Sequence, residues 1–255
     1  MTETFLGILE LTDRGTAFVR RRESGYSPAD GDLFVPPHLV KQYGLRTGDA
    51  IDGEGGRGGK GRGPSLQKVT AINGLAPEDV ARRPEFSKLP ATHPKEMLTL
   101  EVPPDTRRTA HEITCLIDLL CPFGKGQRAL IVAPAKAGKT TVLQAVAEGV
   151  ARNHPGAQLF TLLVDERPEE VTEMEMAGAG EVVASSFDQP PERHAEVAEL
   201  TLERARRQVE LGRDSVIILD SITRLARAYN TLERGTGRTL SGGLDANAME
   251  KPKRF

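Results

Sequence analysis

From residue 4 to about 75, the hydrophobic positions fall in short runs. Phe5 to Leu11 is apolar apart from Gly7 and Glu10, Ala17 to Val19 is a second run, and Leu33 to Val35 a third. Asp49-Ala50-Ile51 follows the turn signal Thr47-Gly48, and Leu66 to Ile72 alternates loosely. Short apolar runs separated by turn residues predict strands of a small β-barrel. One short helix, over Pro37 to Tyr43, interrupts it. The stretch GEGGRGGKGRG (53 to 63) is basic and Gly-rich and reads as a mobile loop between two strands.

Residues 76 to 106 are rich in Pro, Arg and Lys and read as a linker, with a strand expected near its end over Met97 to Val102. Beyond about Arg107 the pattern changes. Ala129 to Val132, Leu159 to Val164, Val182 to Ser185 and Val216 to Leu219 are apolar runs rich in β-branched residues. Between them lie helical stretches, most clearly Pro191 to Leu211, where Ala198, Leu202, Ala205 and Val209 recur at helical spacing. Strands alternating with helices predict a parallel sheet covered on both faces. The expected organisation is a barrel over 1–75, a linker over 76–106 and an α/β domain over 107–255.

Composition narrows the function. The chain has 255 residues, 38% of them hydrophobic and 27% charged, with a formal net charge of −2. That describes a soluble globular protein, and any nucleic-acid site must be a local patch, because no whole-chain basic excess exists. The two cysteines, Cys115 and Cys121, are spaced C-x5-C without a second pair, which fits neither a zinc site nor a disulfide framework. A reducing cytoplasm is the expected compartment. The start, MTETFLGILELTDRG, lacks a basic n-region, and no apolar run of about 18 residues is present, so no membrane span is expected.

The chemistry centres on Ala129-Leu-Ile-Val-Ala-Pro-Ala-Lys-Ala-Gly-Lys-Thr-Thr141, an apolar run, then A-x-x-x-x-G-K-T, then a helical stretch. This is the P-loop pattern with Ala133 at the usual first glycine. Gly138 lets backbone N–H groups approach phosphate oxygens at a helix N-terminus. Lys139 places a cation on the outer phosphates, and Thr140 offers a hydroxyl to Mg²⁺. Two further apolar runs end in acids. Val216 to Leu219 is followed by Asp220, the natural Mg²⁺-side carboxylate. Leu159 to Val164 is followed by Asp165, Glu166 and Arg167. In open α/β sheets ligands sit at the carboxyl ends of strands. Glu166 is therefore the candidate general base, and Arg167 a phosphate contact.

VAPAKAGKTT, LLVDERPEEVTEM, GEVVASSFD, ILDSITRLARAYNT and SGGLDANA are similar, in order, to successive motifs of the Rho family of hexameric RNA-dependent ATPases and helicases. The resemblance covers nearly the whole chain. It implies a RecA-like P-loop domain behind an OB-fold, cold-shock-like barrel. It implies catalytic roles for Lys139, Glu166 and Asp220, with Thr140 and Asp220 on Mg²⁺. It also implies nucleotide contacts from Gly124, Lys125, Gly126, Gln127, Arg128 and Ala129, from Lys136, Ala137, Gly138, Lys139, Thr140 and Thr141, and from Arg167. An inner RNA loop corresponds to Gly237, Arg238 and Thr239. On the barrel, Phe18 and Phe34 match two aromatic positions and Arg20 supplies charge, although either phenyl could equally serve the core. The family's G-F-G-F element reads Gly15-Thr16-Ala17-Phe18, one aromatic short. That implies weaker primary RNA binding, or a larger share for the GRGGKGRG loop.

The function so implied is ATP-driven translocation on single-stranded RNA that terminates transcription, by a cytoplasmic homo-hexamer acting on the RNA polymerase complex. A core of this family continues past SGGLDANA with more strands, a second RNA loop and an arginine finger. An arginine finger acting in trans contributes about 10³ to 10⁵ in rate, so the chain is expected to bind ATP and hydrolyse it poorly alone, with an unfinished sheet edge. Two other readings stand beside this one. The first is an RNA- and ATP-binding module without productive catalysis. The second is a different RecA-like ATPase such as a rotary-motor subunit, against which the barrel and the DERPEEVTEM segment argue.

Overall fold

Alternating side chains shape the N-terminal third. Along β1 (Glu3–Leu11), β2 (Ala17–Arg20) and β3 (Leu33–Val35), Leu9, Ala17, Val19, Leu33 and Val35 point inward and are buried. A helix, α1 (Pro37–Tyr43), opens on a proline at its first position and ends on Gly44 in the left-handed region. Strands β4 (Ala50–Gly56) and β5 (Ser65–Ile72) complete the sheet. The ladder runs β1-β2-β3-β5-β4 and closes where Phe34 meets Ser65 in parallel pairing and β1 meets β4. The computed structural model describes residues 3–12, 14–56, 63–104, 108–134, 136–232 and 245–255.

The stretch expected to be all loop from 53 to 63 is strand at its start. β4 continues through Gly56, and Gly53 and Gly55 pair with Val69 and Leu66. Glycines that alternate with polar residues still satisfy a ladder when the neighbouring strand supplies the partners.

After the barrel, α2 (Pro77–Val80) and a single 3₁₀ turn at Phe86–Lys88 precede α3 (Arg108–Leu120) and α4 (Lys139–Asn153). Then come β6 (Gln158–Glu166), α5 (Pro168–Ala177), β7 (Glu181–Ser186), α6 (Pro191–Glu210), β8 (Ser215–Asp220), α7 (Ile222–Leu232) and a final short helix, α8 (Glu250–Arg254). The three strands form a parallel sheet in the order β7-β6-β8. Phe160, Leu162 and Val164 face α6 and α7, where Val197, Ala198, Leu225 and Tyr229 pack on them. Leu159 and Leu163 face the other side, against Leu143, Val146 and Val150 of α4 and Met174 of α5. Burial on both faces is why β6 reads as one continuous apolar run.

Two expected strands do not form. The run Ala129 to Val132 has no ladder partner among the described residues, and Leu130 and Val132 are 72% and 84% exposed. Apolar β-branched residues favour a strand only where a neighbouring edge accepts their backbone groups. The outer edge of β8, which pairs with no strand but β6 among the described residues, does not receive the run. Met97 to Val102 makes a single bridge, Met97 to Gly124. The Leu98 N–H donates to the Phe123 carbonyl at 2.7 Å, and those of Leu100, Glu101 and Val102 go to side chains of α3. Asp118 accepts from Leu100 and Glu101 at 2.9 and 2.8 Å, and Thr114 accepts from Val102 at 3.3 Å.

The barrel docks on α6, and the segment expected to be only a linker takes part. Arg83, with a side chain 2% exposed, lies between Asp49 of the barrel (2.6 Å) and Glu210 at the end of α6 (3.0 Å). Arg46 reaches the same Glu210 at 2.8 Å. Near the start of α6, Arg193 donates to the carbonyls of Gly25 and Tyr26. Tyr26 donates its hydroxyl to Glu181 at 2.7 Å, and Arg204 sits over both the Tyr26 and Phe160 rings while forking onto Glu181. Gly48, at φ 92°, passes so close to α6 that a Cβ there would lie 2.5 Å from the carbonyl carbon of Glu203.

Candidate nucleotide site and nucleic-acid face

Gly138 caps the N-terminus of α4 at φ 86°, with nothing within 4 Å of where a Cβ would stand. Lys136, two residues earlier, also has positive φ (62°). Backbone turned this way just before a helix start forms a concave array of N–H groups suited to phosphate. Helix α4 is anchored by Leu143, Val146 and Val150, so its first residues are held at the carboxyl end of the sheet. There Lys139 forms an ion pair with Asp220, the buried last residue of β8. The continuous apolar run of β8 places that acid at the strand end. Thr140 is half-buried in the first turn beside Lys139, while Lys136, Ala137 and Thr141 are exposed.

Glu166 ends β6 and is buried. Asp165 has φ 56° and shifts the register, so that Glu166, not Asp165, aligns with Ser186. Sequence reasoning missed Arg224, although it lies in the DSITR segment. From the first turn of α7 it donates to the Asp165 carbonyl and to Glu166 Oε2, the latter at 3.2 Å. Burial pushes the Glu166 carboxyl up to about 7. A hydrogen bond with Glu170 adds to this, the Arg224 charge opposes it, and the Glu170 and Asp220 charges reinforce it. A carboxyl poised near neutrality beside a cation and a second acid is suited to moving a proton. Arg167 precedes α5 with its side chain exposed.

Gly124 to Gln127 lie elsewhere. Lys125 pairs with Asp214 at 2.8 Å and Glu96 at 3.2 Å, and Gln127 accepts from the Gly124 N–H at 2.8 Å. Asp214 precedes β8, so this cluster sits at the strand's amino end, about 20 Å from Asp220 by strand rise. Arg128 donates to the Lys253 carbonyl at 3.2 Å, and Gly126 and Ala129 are exposed. The structure does not bring Gly124 to Gln127 together with Lys139, Glu166 and Asp220.

On the barrel, Phe18 and Phe34 are cross-strand partners, edge to face with centroids 6.0 Å apart. Their neighbours Ala17, Val19, Leu33 and Val35 fill the interior. The two phenyls therefore stand on the outer face, not in the core. Arg20 stacks on Phe18 at 5.1 Å, but its guanidinium is buried between Glu10 (2.5 Å) and Asp32 (2.6 Å). Its charge is offset locally, so it orders the aromatic face rather than adding to a positive field. Gly237, Arg238 and Thr239 lie outside the described residues.

A glycine-turned helix start, with its lysine on a strand-end acid of a parallel sheet, defines a P-loop nucleotide-binding domain, here behind a five-stranded barrel. Residues 114–242 match the ATP synthase alpha/beta family nucleotide-binding domain, and residues 5–78 match the Rho termination factor RNA-binding domain. The chain belongs to the transcription termination factor Rho family. It is 58% identical to transcription termination factor Rho of Gemmatimonas aurantiaca over 95% of its own length and 33% of that protein's. It is 46% identical to the Aquifex aeolicus protein of the same name, over 98% of the chain and 57% of the relative. The corresponding Mycobacterium tuberculosis protein is 49% identical, over 98% and 41%. The chain thus spans between one third and three fifths of these relatives. Among solved structures, an ATPase from the type III secretion system of pathogenic bacteria shares the fold, with a TM-score of 0.51 at 22% identity over 66% of this chain and 46% of that one. No described helix is long and apolar enough to cross a membrane.

Proposed function

We propose that the chain binds single-stranded RNA on the Phe18/Phe34 face of the barrel and ATP at the P-loop, and that ATP hydrolysis moves the RNA so as to terminate transcription. The observation that carries this reading is the convergence of Lys139, Asp220 and the near-neutral Glu166 at the carboxyl ends of adjacent strands. Lys139 moves part of its charge from Asp220 to the outer phosphates. Glu166 accepts the proton of the attacking water, and Arg224 holds its carboxylate in place. The Thr140 hydroxyl and the Asp220 carboxylate are hard oxygen donors that fit Mg²⁺, which supplies neutralisation of phosphate charge when bound. Lys136, Ala137, Gly138, Thr141 and Arg167 border the same site. The reading extends to action on the RNA polymerase complex, in keeping with the relatives' name, transcription termination factor, and to a cytoplasmic homo-hexamer.

A second reading, an RNA- and ATP-binding module without productive turnover, is favoured by one feature. The run leading into the P-loop, with Leu130 and Val132 exposed, has no strand supporting it among the described residues. ATP hydrolysis with and without a cytosine-rich RNA, using Lys139→Ala as the blank, separates the two. RNA-stimulated turnover lost in the mutant supports the motor. Retained nucleotide binding with no turnover above the blank supports the module.

A further inference from the structure

The segment before α3 and the first half of that helix gather three different metal-ligating side chains away from the nucleotide site. Glu101, His111 and Cys115 each place one ligand atom within 4.8 Å of the other two. His111 and Cys115 are one turn apart, on one face of α3. Glu101 is held opposite them because Asp118 accepts its backbone N–H at 2.8 Å, and Asp118 and Thr114 fasten Leu100 and Val102 on either side.

The histidine tautomer follows from its partner. His111 Nδ1 lies 2.6 Å from the Val102 carbonyl oxygen, which can only accept, so Nδ1 carries the hydrogen. Nε2 is left with its lone pair, 3.9 Å from the Cys115 sulfur, which lies 3.5 Å from Nδ1. Ligands at about 2.3 Å (sulfur) and about 2.0 Å (nitrogen) from a tetrahedral zinc stand about 3.5 Å apart. The three ligand atoms, within 4.8 Å of one another, would draw together and the imidazole would turn Nε2 toward the sulfur on binding. A backbone carbonyl orienting the far nitrogen of a ligating histidine is the usual support of such sites. Counting cysteine pairs in the sequence passes over this site, because it is a mixed set with one cysteine.

We propose that Glu101, His111 and Cys115 bind a zinc-class divalent cation, with the fourth position open to water. The thiolate selects against Mg²⁺ and Ca²⁺, and one sulfur, one nitrogen and one oxygen suit Zn²⁺ or Co²⁺. The cation ties the 100–102 segment to α3 where Val102 and Ala110 pack on Ala145 of α4, the P-loop helix.

The test is a Co²⁺ titration of the metal-stripped full chain, read by the thiolate-to-cobalt charge-transfer band. A one-to-one band is expected, abolished by Cys115→Ser and weakened at least about tenfold by His111→Ala or Glu101→Gln. It should be unaffected by Cys121→Ser and by Asp220→Asn, which separates it from the nucleotide site. Zn²⁺ should displace the band and raise the melting temperature of the wild type but not of Cys115→Ser. If Cys115→Ser does not fold, the exposed Glu101→Gln variant carries the test. No band, a band that survives Cys115→Ser, or one that depends on Cys121 overturns the proposal.

Discussion

Arg224 reaches Glu166 across the ends of two adjacent strands, Nη2 to Oε2 at 3.2 Å, and opposes the burial that lifts that carboxyl to about 7. As a base Glu166 works ionised, so turnover should rise with pH through about 7. Arg224→Ala removes the cation that favours ionisation, and the midpoint should move up. A pH–rate profile that stays in place excludes Glu166 as the base.

The same group leaves a mark on stability. Its folded pKa is raised from 4.5, so its contribution is complete below that value and is lost as pH rises through about 7. Glu166→Gln should therefore gain on the wild type between pH 5 and pH 8 in thermal melts. A constant difference between the two proteins counts against the shift.

Removing Lys139 strands Asp220, buried at the end of β8. Lys139→Ala should weaken ATP binding more than tenfold and cost about 1–3 kcal/mol of stability. Lys139→Ala with Asp220→Asn should recover stability but not affinity. Titration of a fluorescent ATP analogue alongside urea unfolding reads both, and recovery of affinity in the double mutant would count against the role given to Lys139.

Arg83→Met leaves Asp49 and Glu210 buried without the guanidinium between them. Breaking a buried pair costs about 3–5 kcal/mol. By contrast, losing the exposed Arg108–Glu112 pair should cost less than about 0.5 kcal/mol. Equal effects of Arg83→Met and Arg108→Ala in denaturant unfolding would mean that the docking network is solvated.

On the barrel, Phe18→Ala or Phe34→Ala should weaken binding of oligocytidine by about 1–3 kcal/mol each if a base stacks there. Replacing Arg57, Lys60 and Arg62 by Gln should flatten the salt dependence while leaving β4 intact. Arg20→Gln should act on folding more than on affinity, because its charge is already met by Glu10 and Asp32. Fluorescence anisotropy across a salt series distinguishes these outcomes.

Much of this was legible in the residues. Strand and helix periodicity located β6, β7, β8 and α6 to within about two residues, because buried parallel strands and a long amphipathic helix leave strong patterns. Placing acids at strand ends put Asp220 at the end of β8, although its ion pair with Lys139 was not foreseen. Ala129 to Val132 misled, because its composition suits a strand, yet among the described residues it does not pair even though the outer edge of β8 is open. Arg224 was hidden for another reason. Its role depends on α7 crossing the end of β6, a contact between residues 58 positions apart. Glu101, His111 and Cys115 escaped likewise, since their convergence depends on the 100–102 segment being fastened to α3.

Helix α6 holds the barrel at two places, near Arg193 and near Glu210, which its rise sets about 25 Å apart. A body pinned at two distant points on one rod has no hinge left along it. Barrel and helix then form one arm, and on the proposed function a displacement at the nucleotide end would reach the RNA as rotation of that arm.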